Sequence, residues 1–594
     1  MKPIVVIALL ISAFCMSCNE TSPSTTETTV NDSAAINRLF ANYWEDRMKL
    51  YPLEATTAGD NRYNHIFQNE VSVAFINEAK SFYSRYLDSV KIYDREKLND
   101  NDRISFDIFK REMMMQLERF NYREEWMPLN QFWGRQITFG MLGSGGGDQP
   151  FKTVKDYDNF LGRIDGFAVY MDTVISNMRT GMTKGYILPR SLIVKMIPQT
   201  KDMLSADAKS NHFYAPVKKM PDSFSVSDKS RLTAAYTKAI NEKLIPAFTK
   251  LSSFLQQEYL PKGRSSSGID SIPNGNEYYQ YLIRYWTTTN QSADEIYNTG
   301  LKEVERIKSE MEKIKTQVGF TGDLKAFFNY ILTDKKFSIF KTPEEVLEAF
   351  RAIQAKEEPY LKKLFGRFPT TKFEIRRTEA FREQSASAEY NQATEDGSRP
   401  GIFYTPIPDV TKFNYTGMET LFAHEAIPGH HYQISLQQEN KSLPAFRRFG
   451  WYGAYGEGWA LYTESLGSEL GLYTDPYQKM GNLGDEMLRA VRLVVDAGIH
   501  TKGWSREKAI DYLLANLPSS EQEAVAAIER YMAIPAQALS YKMGAIFIKQ
   551  LREKYTQQLG TKFNIAAFHD ELLKDGCMPL DVLERKMEAW GKKQ

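Results

Sequence analysis

The chain has 594 residues and a formal net charge of +1, with 75 basic and 74 acidic side chains in near balance. That balance argues against the basic face of a nucleic-acid-binding protein, so we predict no nucleic-acid partner. Hydrophobic residues make up 42% of the chain and charged residues 25%, which is the composition of a globular protein with a large buried core.

The first 18 residues have the composition of an export signal. Lys2 supplies a positive charge and an apolar run from Ile4 to Met16 follows it. At about 13 residues the run is too short for a membrane span, which needs about 20. Cys18 follows the small residue Ser17, as in the lipid-attachment sequence of bacterial lipoproteins. We therefore predict a lipoprotein signal at 1–18, with a lipid on Cys18 that anchors the exported protein to a membrane. The alternative is a plain secretory signal.

Most of the remaining chain has helical periodicity. Residues 19–33 are rich in serine and threonine and lack aromatic side chains, so we predict a flexible tether there. From residue 34 to 594 we predict a mainly α-helical body, with a candidate subdivision near 263–275, where serine and glycine are frequent. The longest amphipathic runs are 74–94, 100–121, 154–180, 226–262, 290–318 and 344–365.

Two short segments have the composition of β-strands. They run from Lys372 to Arg377 and from Gly401 to Pro406, and both precede the histidine-rich motif described next. We predict a small sheet beside that motif, with an edge to which an extended peptide substrate could pair. Tyr404 in the second segment is a candidate substrate contact.

The segment from His424 to His431 holds three of the seven histidines of the chain. Its sequence is His-Glu-Ala-Ile-Pro-Gly-His-His. In His-Glu-x-x-His sites, two imidazoles one helical turn apart bind zinc and the glutamate is the general base, here Glu425. The spacing here is longer, but Pro428-Gly429 should interrupt the helix and let His430 take the position of the second ligand. His431 is the alternative second ligand.

A third ligand is suggested by a resemblance in a later segment, Gly-Glu-Gly-Trp-Ala-Leu-Tyr-Thr-Glu. It resembles the Asn-Glu-Gly-Phe-Ala segment of the aminopeptidase N family, whose glutamate binds zinc. By that match Glu457 is the third ligand. Glu464 lies two helical turns later on the same face and would orient a metal-bound imidazole. The predicted cofactor is one Zn²⁺ ion held by His424, His430 and Glu457.

Other candidates lie nearer the carboxyl end. Tyr541 could donate a hydrogen bond to an oxyanion, or serve the core or the surface. His500 and Asp496 share a helical face and could form an oriented imidazole that acts in catalysis near the metal, or a structural pair. Arg489 and Arg492 could bind a substrate carboxylate, or form surface salt bridges.

Taken together, these motifs resemble a bacterial family known as domain of unknown function 885, which is grouped with the gluzincin metallopeptidases. The resemblance implies a thermolysin-like zinc-site helix pair in a largely helical body, and it implies no particular substrate. The segments that carry it are Tyr51-Pro52, Gly59 to Tyr63, Gly181 to Gly185, Pro189-Arg190, Tyr278 to Gly300, Arg399 to Gly401, His424 to His431, Glu457 to Tyr462, Arg492 to His500 and Gln537 to Lys542.

The leading functional hypothesis is a zinc-dependent peptidase that acts on peptides in the periplasm or at the cell surface. Aminopeptidase, carboxypeptidase and endopeptidase action all remain open from the sequence. A second hypothesis is a peptide-binding lipoprotein that keeps the fold without turnover. A third is a metal amidase for non-peptide substrates.

Overall fold

The computed structural model describes residues 33–205, 207–379, 383, 386–394 and 399–594. The prediction of a mainly helical chain with a small sheet is confirmed. The predicted signal, its Cys18 and nearly all of the predicted tether lie outside the described residues. Among the helices that the structure describes, none combines the length and the apolar composition of a membrane span.

The helices of the amino-terminal part of the described chain pack around two aromatic cores. Phe139 and Phe167 stack in one of them with ring centroids 4.0 Å apart, and Tyr43 and Phe109 meet in the other. Single π-helical turns join the last three helices of this part into one continuous rod. The helices are α1 (Ser33–Leu50), α2 (Pro52–Thr57), α3 (Val73–Lys91), α4 (Asp100–Arg119), α5 (Arg135–Gly143), α6 (Val154–Thr183), α7 (Arg190–Asp202), α8 (Ala215–Lys218), α9 (Val226–Ala239), α10 (Ile245–Phe254) and α11 (Leu260–Lys262).

The second part of the described chain contains the remaining helices. Across both parts, all six predicted amphipathic runs are helical. They form because apolar side chains recur every three or four residues and polar side chains cap the starts, as Ser292 does for α13. These helices are α12 (Gly275–Thr287), α13 (Ala293–Gln317), α14 (Leu324–Thr333), α15 (Pro343–Leu364), α16 (Met418–Glu425), α17 (His430–Glu439), α18 (Ala445–Arg448), α19 (Gly453–Glu464), α20 (Pro476–Thr501), α21 (Arg506–Asn516), α22 (Glu521–Ala533), α23 (Ser540–Leu559), α24 (Ile565–Leu573) and α25 (Leu580–Gly591).

The sheet has three strands, β1 (Phe373–Arg377), β2 (Glu389–Asn391) and β3 (Gly401–Thr405), in the order β1-β3-β2. β1 runs parallel to β3, and β2 runs antiparallel to it. Both predicted strands are present, whereas β2 was not predicted because its three residues show no strand pattern. The buried Phe403 packs between Phe350 of α15 and Phe422 of α16, so the sheet lies directly beside α16.

Helices α19 and α23 cross with almost no side chain between them. A Cβ atom on Gly544 would lie 1.7 Å from the carbonyl oxygen of Ala454, and one on Gly458 would lie 2.5 Å from the Cα of Gly544. Only glycine allows this approach of two backbones. The crossing brings the start of α23 beside the middle of α19.

The serine- and glycine-rich stretch at 263–275 packs against α20. The backbone N–H of Ile269 donates a hydrogen bond to the His500 ring, and a Cβ on Gly268 would lie 2.1 Å from the Ile499 carbonyl oxygen.

Candidate metal centre

The helix that begins at Met418 ends at Glu425, and the next helix begins at His430. The interruption predicted at Pro428-Gly429 is therefore confirmed. Trp459 of α19 donates a hydrogen bond of 2.9 Å to the Pro428 carbonyl oxygen and so fixes the turn against α19. A Cβ on Gly429 would lie 1.9 Å from the His424 carbonyl oxygen, so this turn folds back tightly onto α16 and requires glycine.

This turn brings His424 and His430 together with Glu457 from α19. Their candidate ligand atoms all lie within 4.8 Å of one another. Glu457 Oε2 is 3.7 Å from His424 Nε2 and 3.5 Å from His430 Nε2. Ligand atoms around a tetrahedral zinc ion, with bonds of 2.0–2.2 Å, are about 3.4 Å apart. Two imidazoles and one carboxylate are a donor set that zinc takes, and the two imidazole–carboxylate distances are close to this value.

Glu464 lies behind His424 and sets its orientation. The Nδ1–H of His424 donates a hydrogen bond of 2.7 Å to Glu464 Oε1, while Thr420 donates to Oε2. Because Nδ1 carries the proton, the lone pair of Nε2 is directed at the cluster. Arg489 Nη2 lies 3.8 Å from the same carboxylate, and Arg489 also pairs with Asp485. Arg489 thus belongs to the network behind His424 and is not free to bind a substrate carboxylate.

The field inside the cluster favours positive charge. Burial raises the pKa of Glu457, but the neighbouring His424 and His430 imidazoles outweigh burial and place that pKa well below its usual range. Burial lowers the pKa of His424, yet the Glu457 and Glu464 carboxylates raise it to about 10. In both cases attraction between imidazole and carboxylate outweighs the effect of burial.

Glu425 lies beside the cluster and has a different environment. Burial raises its pKa, and the neighbouring Glu457 carboxylate adds to the effect, although His424 and His430 oppose it. A raised pKa makes this carboxylate a stronger proton acceptor, as a general base must be. The backbone N–H of Tyr390 in β2 hydrogen-bonds to Glu425, so this edge strand lies next to the predicted base.

His431 points away from the cluster. Its Nδ1 lies 3.0 Å from the Tyr390 hydroxyl, and its ring packs on Phe373 with centroids 4.5 Å apart. Burial lowers its pKa to about 4, so it is neutral in this environment. The structure therefore brings His430, and not His431, together with His424 and Glu457.

His500 is a core residue in the structure. Its Nδ1 accepts a hydrogen bond of 2.9 Å from the backbone N–H of Ile269, and its Nε2 contacts the Tyr531 carbonyl oxygen at 3.1 Å. With both ring nitrogens occupied, His500 has no donor left for an oxyanion. Asp496 does not orient His500 either, because Asp496 Oδ1 accepts from the Tyr279 hydroxyl and the Ala536 N–H. We therefore assign both residues to the core and not to the metal centre.

Asp496 gives a testable pH effect. Burial raises its pKa to about 7, compared with about 3.9 in an unfolded chain. The folded protein therefore holds a proton that the unfolded chain releases, and its stability falls as the pH rises from 4 to 8, on the order of 4 kcal/mol for this group. Asp496→Asn should remove this part of the pH dependence in melting experiments. An unchanged slope of melting temperature against pH in the variant would contradict the prediction.

Tyr541 and Arg492 lie together on α23 and α20. The Arg492 guanidinium sits over the Tyr541 ring, 4.6 Å from its centroid. Within the described residues, the Tyr541 hydroxyl has no hydrogen-bond partner.

Tyr404 has a different setting. It neighbours Phe403, which faces α16, so it points to the opposite face of the sheet, where Arg376 is its register partner. Tyr404 is therefore not brought to the metal centre.

Trp451 is a site residue that the sequence reasoning missed. Its ring lies 5.8 Å from the His430 ring, and it is 44% exposed, so it forms part of the wall beside the cluster. The edge of its indole packs against α19 because Gly456 has no Cβ, which would lie 2.1 Å from the indole. Gly456 could have indicated this contact in the sequence, since a glycine within a helix often marks close packing of a neighbouring group.

Solved structures with a similar fold include two bacterial proteins. The crystal structure of "the putative lipoprotein from Colwellia psychrerythraea" is 28% identical, with a TM-score of 0.86 over 94% of this chain and 99% of that one. A "putative lipoprotein of unknown function from Shewanella oneidensis" is 21% identical, with a TM-score of 0.74 over 93% of this chain and 99% of that one. A search of curated proteins finds no match.

The family comparison agrees with the resemblance seen in the sequence. A match to the family described as "Bacterial protein of unknown function (DUF885)" extends over residues 52–587, which include every residue of the candidate metal centre. The chain therefore belongs to the DUF885 family.

Proposed function

We propose that this protein is a zinc-dependent peptide hydrolase. The observation that carries the proposal is the convergence of His424, His430 and Glu457, with both imidazoles 3.5–3.7 Å from the Glu457 carboxylate, close to the ligand spacing around a tetrahedral zinc ion. Glu425 beside them supplies the general base that such a site needs for hydrolysis.

The residues of the chain have distinct parts in the reaction. A bound zinc ion supplies Lewis acidity, which polarises a carbonyl group and makes water easier to deprotonate. Glu425 takes the proton of the attacking water and passes it to the leaving nitrogen. Glu464 keeps His424 directed at the ion. Tyr541 is the candidate donor to the oxyanion because its hydroxyl has no partner among the described residues.

The edge strand β2 favours peptides as substrates. It is the outer strand of the sheet on the side of Glu425, and Tyr390 within it contacts that carboxyl. An extended peptide can pair with such an edge through its own backbone groups, whereas a compact non-peptide amide cannot. This supports peptide hydrolysis over the action of a general metal amidase.

We also propose that a lipid anchor attaches the enzyme to a membrane, outside the cytoplasm. The apolar run that ends at Cys18 has the pattern of a lipoprotein signal. The 28% identical relative from Colwellia psychrerythraea is likewise described as a putative lipoprotein. The predicted substrates are therefore peptides of the periplasm or the cell surface.

The metal content of two matched variants tests the proposal. Wild-type protein should bind one zinc ion per chain after dialysis and re-addition of zinc. His430→Gln should lose the ion because a ligand is removed, whereas His431→Gln should keep it because that ring contacts the sheet. Metal analysis measures both. Wild type without zinc, or equal loss in the two variants, would contradict the assigned ligands.

A further inference from the structure

Arg492 is a buried cation without an anionic partner. Its side chain is largely enclosed, with 9% of the residue exposed, and its buried Nη1 has no hydrogen-bond partner. Its Nε donates a hydrogen bond of 3.0 Å to the Tyr531 hydroxyl, which is neutral. No acidic side chain of the described residues pairs with it. Arg489, one turn earlier on the same helix, pairs with Asp485 and approaches Glu464. Burying a guanidinium is costly unless an anion compensates it.

The surroundings of Arg492 hold its guanidinium in one place. The group lies over two tyrosine rings, 4.6 Å from the centroid of Tyr541 and 5.8 Å from that of Tyr531. These rings, together with the bond from Nε, fix the plane of the group. A planar guanidinium held in this way is suited to a carboxylate, which it can bind through two parallel hydrogen bonds.

Arg492 also lies close to the metal centre. It follows Arg489 by one helical turn, about 5 Å along the axis of α20. Arg489 Nη2 is 3.8 Å from Glu464, and Glu464 bonds directly to His424. Tyr541, whose ring lies under Arg492, is one helical turn from Gly544, and Gly544 is in contact with Gly458, next to the candidate ligand Glu457.

We propose that Arg492 binds the terminal carboxylate of the peptide substrate, so that the enzyme cleaves peptides from the free carboxyl end. This inference rests on the proposed hydrolase function and names its substrate class. In the reaction the C–N bond of the substrate breaks and the hydroxyl of water joins the acyl carbon. The remaining proton of the water reaches the leaving nitrogen through Glu425. The products are a shortened peptide with a new carboxylate and a carboxyl-terminal fragment with a free amine.

The test uses two N-acetylated peptides of identical sequence, one ending in a free carboxylate and the other in a carboxamide. Zinc-loaded wild type should hydrolyse the free acid with a kcat/KM about 10- to 100-fold above that of the amide, the range expected for a charged hydrogen-bonded pair. In Arg492→Gln this ratio should fall towards unity through loss on the acid alone, with zinc content unchanged. Arg492→Lys should retain part of the preference because it keeps the charge.

Tyr531→Phe removes the bond to Nε but keeps the ring and the guanidinium charge. It should reduce the preference for the acid by less than Arg492→Gln does. Equal hydrolysis of acid and amide by wild type would overturn the inference and leave the hydrolase proposal intact. Equal loss on both peptides in Arg492→Gln would do the same, because it would indicate a purely structural role.

Binding separates the two proposals if neither peptide is cleaved. In that case the hydrolase proposal fails, and the affinity of both peptides for zinc-loaded Glu425→Gln protein is measured by calorimetry. Tighter binding of the acid than of the amide, lost when Arg492→Gln is added, would support the carboxylate site on its own. Equal affinities for the acid and the amide would overturn it.

Discussion

Replacing Glu425 by glutamine should leave zinc bound and reduce peptide hydrolysis by about 10²- to 10⁴-fold in kcat, the range that a general base contributes. The amide has the same shape as the carboxylate but cannot take a proton from water. The ligand set of His424, His430 and Glu457 does not include Glu425, so the metal should remain. Zinc analysis and turnover of a peptide library measure the two effects separately.

Glu419→Gln on the same helix is the matched control for Glu425→Gln. Glu419 is also buried, but its carboxylate bonds to Lys356 and to the backbone N–H of Tyr473. Its replacement should lower thermal stability and leave kcat within about threefold of wild type, because stability effects of lost contacts act on folding. If Glu425→Gln kept wild-type turnover, another residue would have to be the base.

Gly429→Ala should abolish zinc binding through the backbone alone. The added methyl group would lie 1.9 Å from the His424 carbonyl oxygen and 2.4 Å from that of Ala423, neither of which can rotate away. The turn after Glu425 must therefore move, and it carries His430 with it. Overpacking of this kind costs about 1–3 kcal/mol, and here the displacement also separates two ligands. Zinc affinity and melting temperature should both fall.

Gly484→Ala supplies the control for that substitution. Gly484 lies within α20, and a Cβ there meets no atom within 4 Å. Alanine should raise stability by about 0.5–1 kcal/mol because it restricts the unfolded chain and favours the helix. Zinc content should be unchanged. If Gly429→Ala bound zinc as tightly as wild type, the tight turn would not be needed to assemble the site.

Much of the fold and of the cluster could be predicted because the signals are local. Long helices such as α6 and α13 follow from apolar periodicity, and the break before His430 follows from a proline and a glycine in succession. The strand β2 was missed because pairing with β3, and not its own three residues, makes it a strand. Local sequence patterns predict the structure of a segment by itself, but not its pairing with a distant segment.

The residues around the cluster were harder to predict because their roles depend on partners distant in sequence. The spacing of Asp496 and His500 correctly places both on one helical face, but it does not reveal that Tyr279 and Ile269 occupy that face. Arg489 and Arg492 have the same chemistry and lie one turn apart. Only the packing of α20 shows that Arg489 has carboxylate partners, while Arg492 has two tyrosine rings instead.

The crossing of α19 and α23 has a consequence for how the centre can vary among related proteins. Glu457 and Glu464 lie on α19 and Tyr541 lies on α23, and at Gly458 and Gly544 the two main chains are in contact. Side-chain packing can drift as a protein evolves, because one bulky residue can compensate for another. Where two main chains are in contact, no second substitution can compensate for an added side chain. The separation of the candidate metal ligand and the candidate oxyanion donor is thus insulated from mutations elsewhere in the core, and changes in specificity should arise in exposed walls such as Trp451.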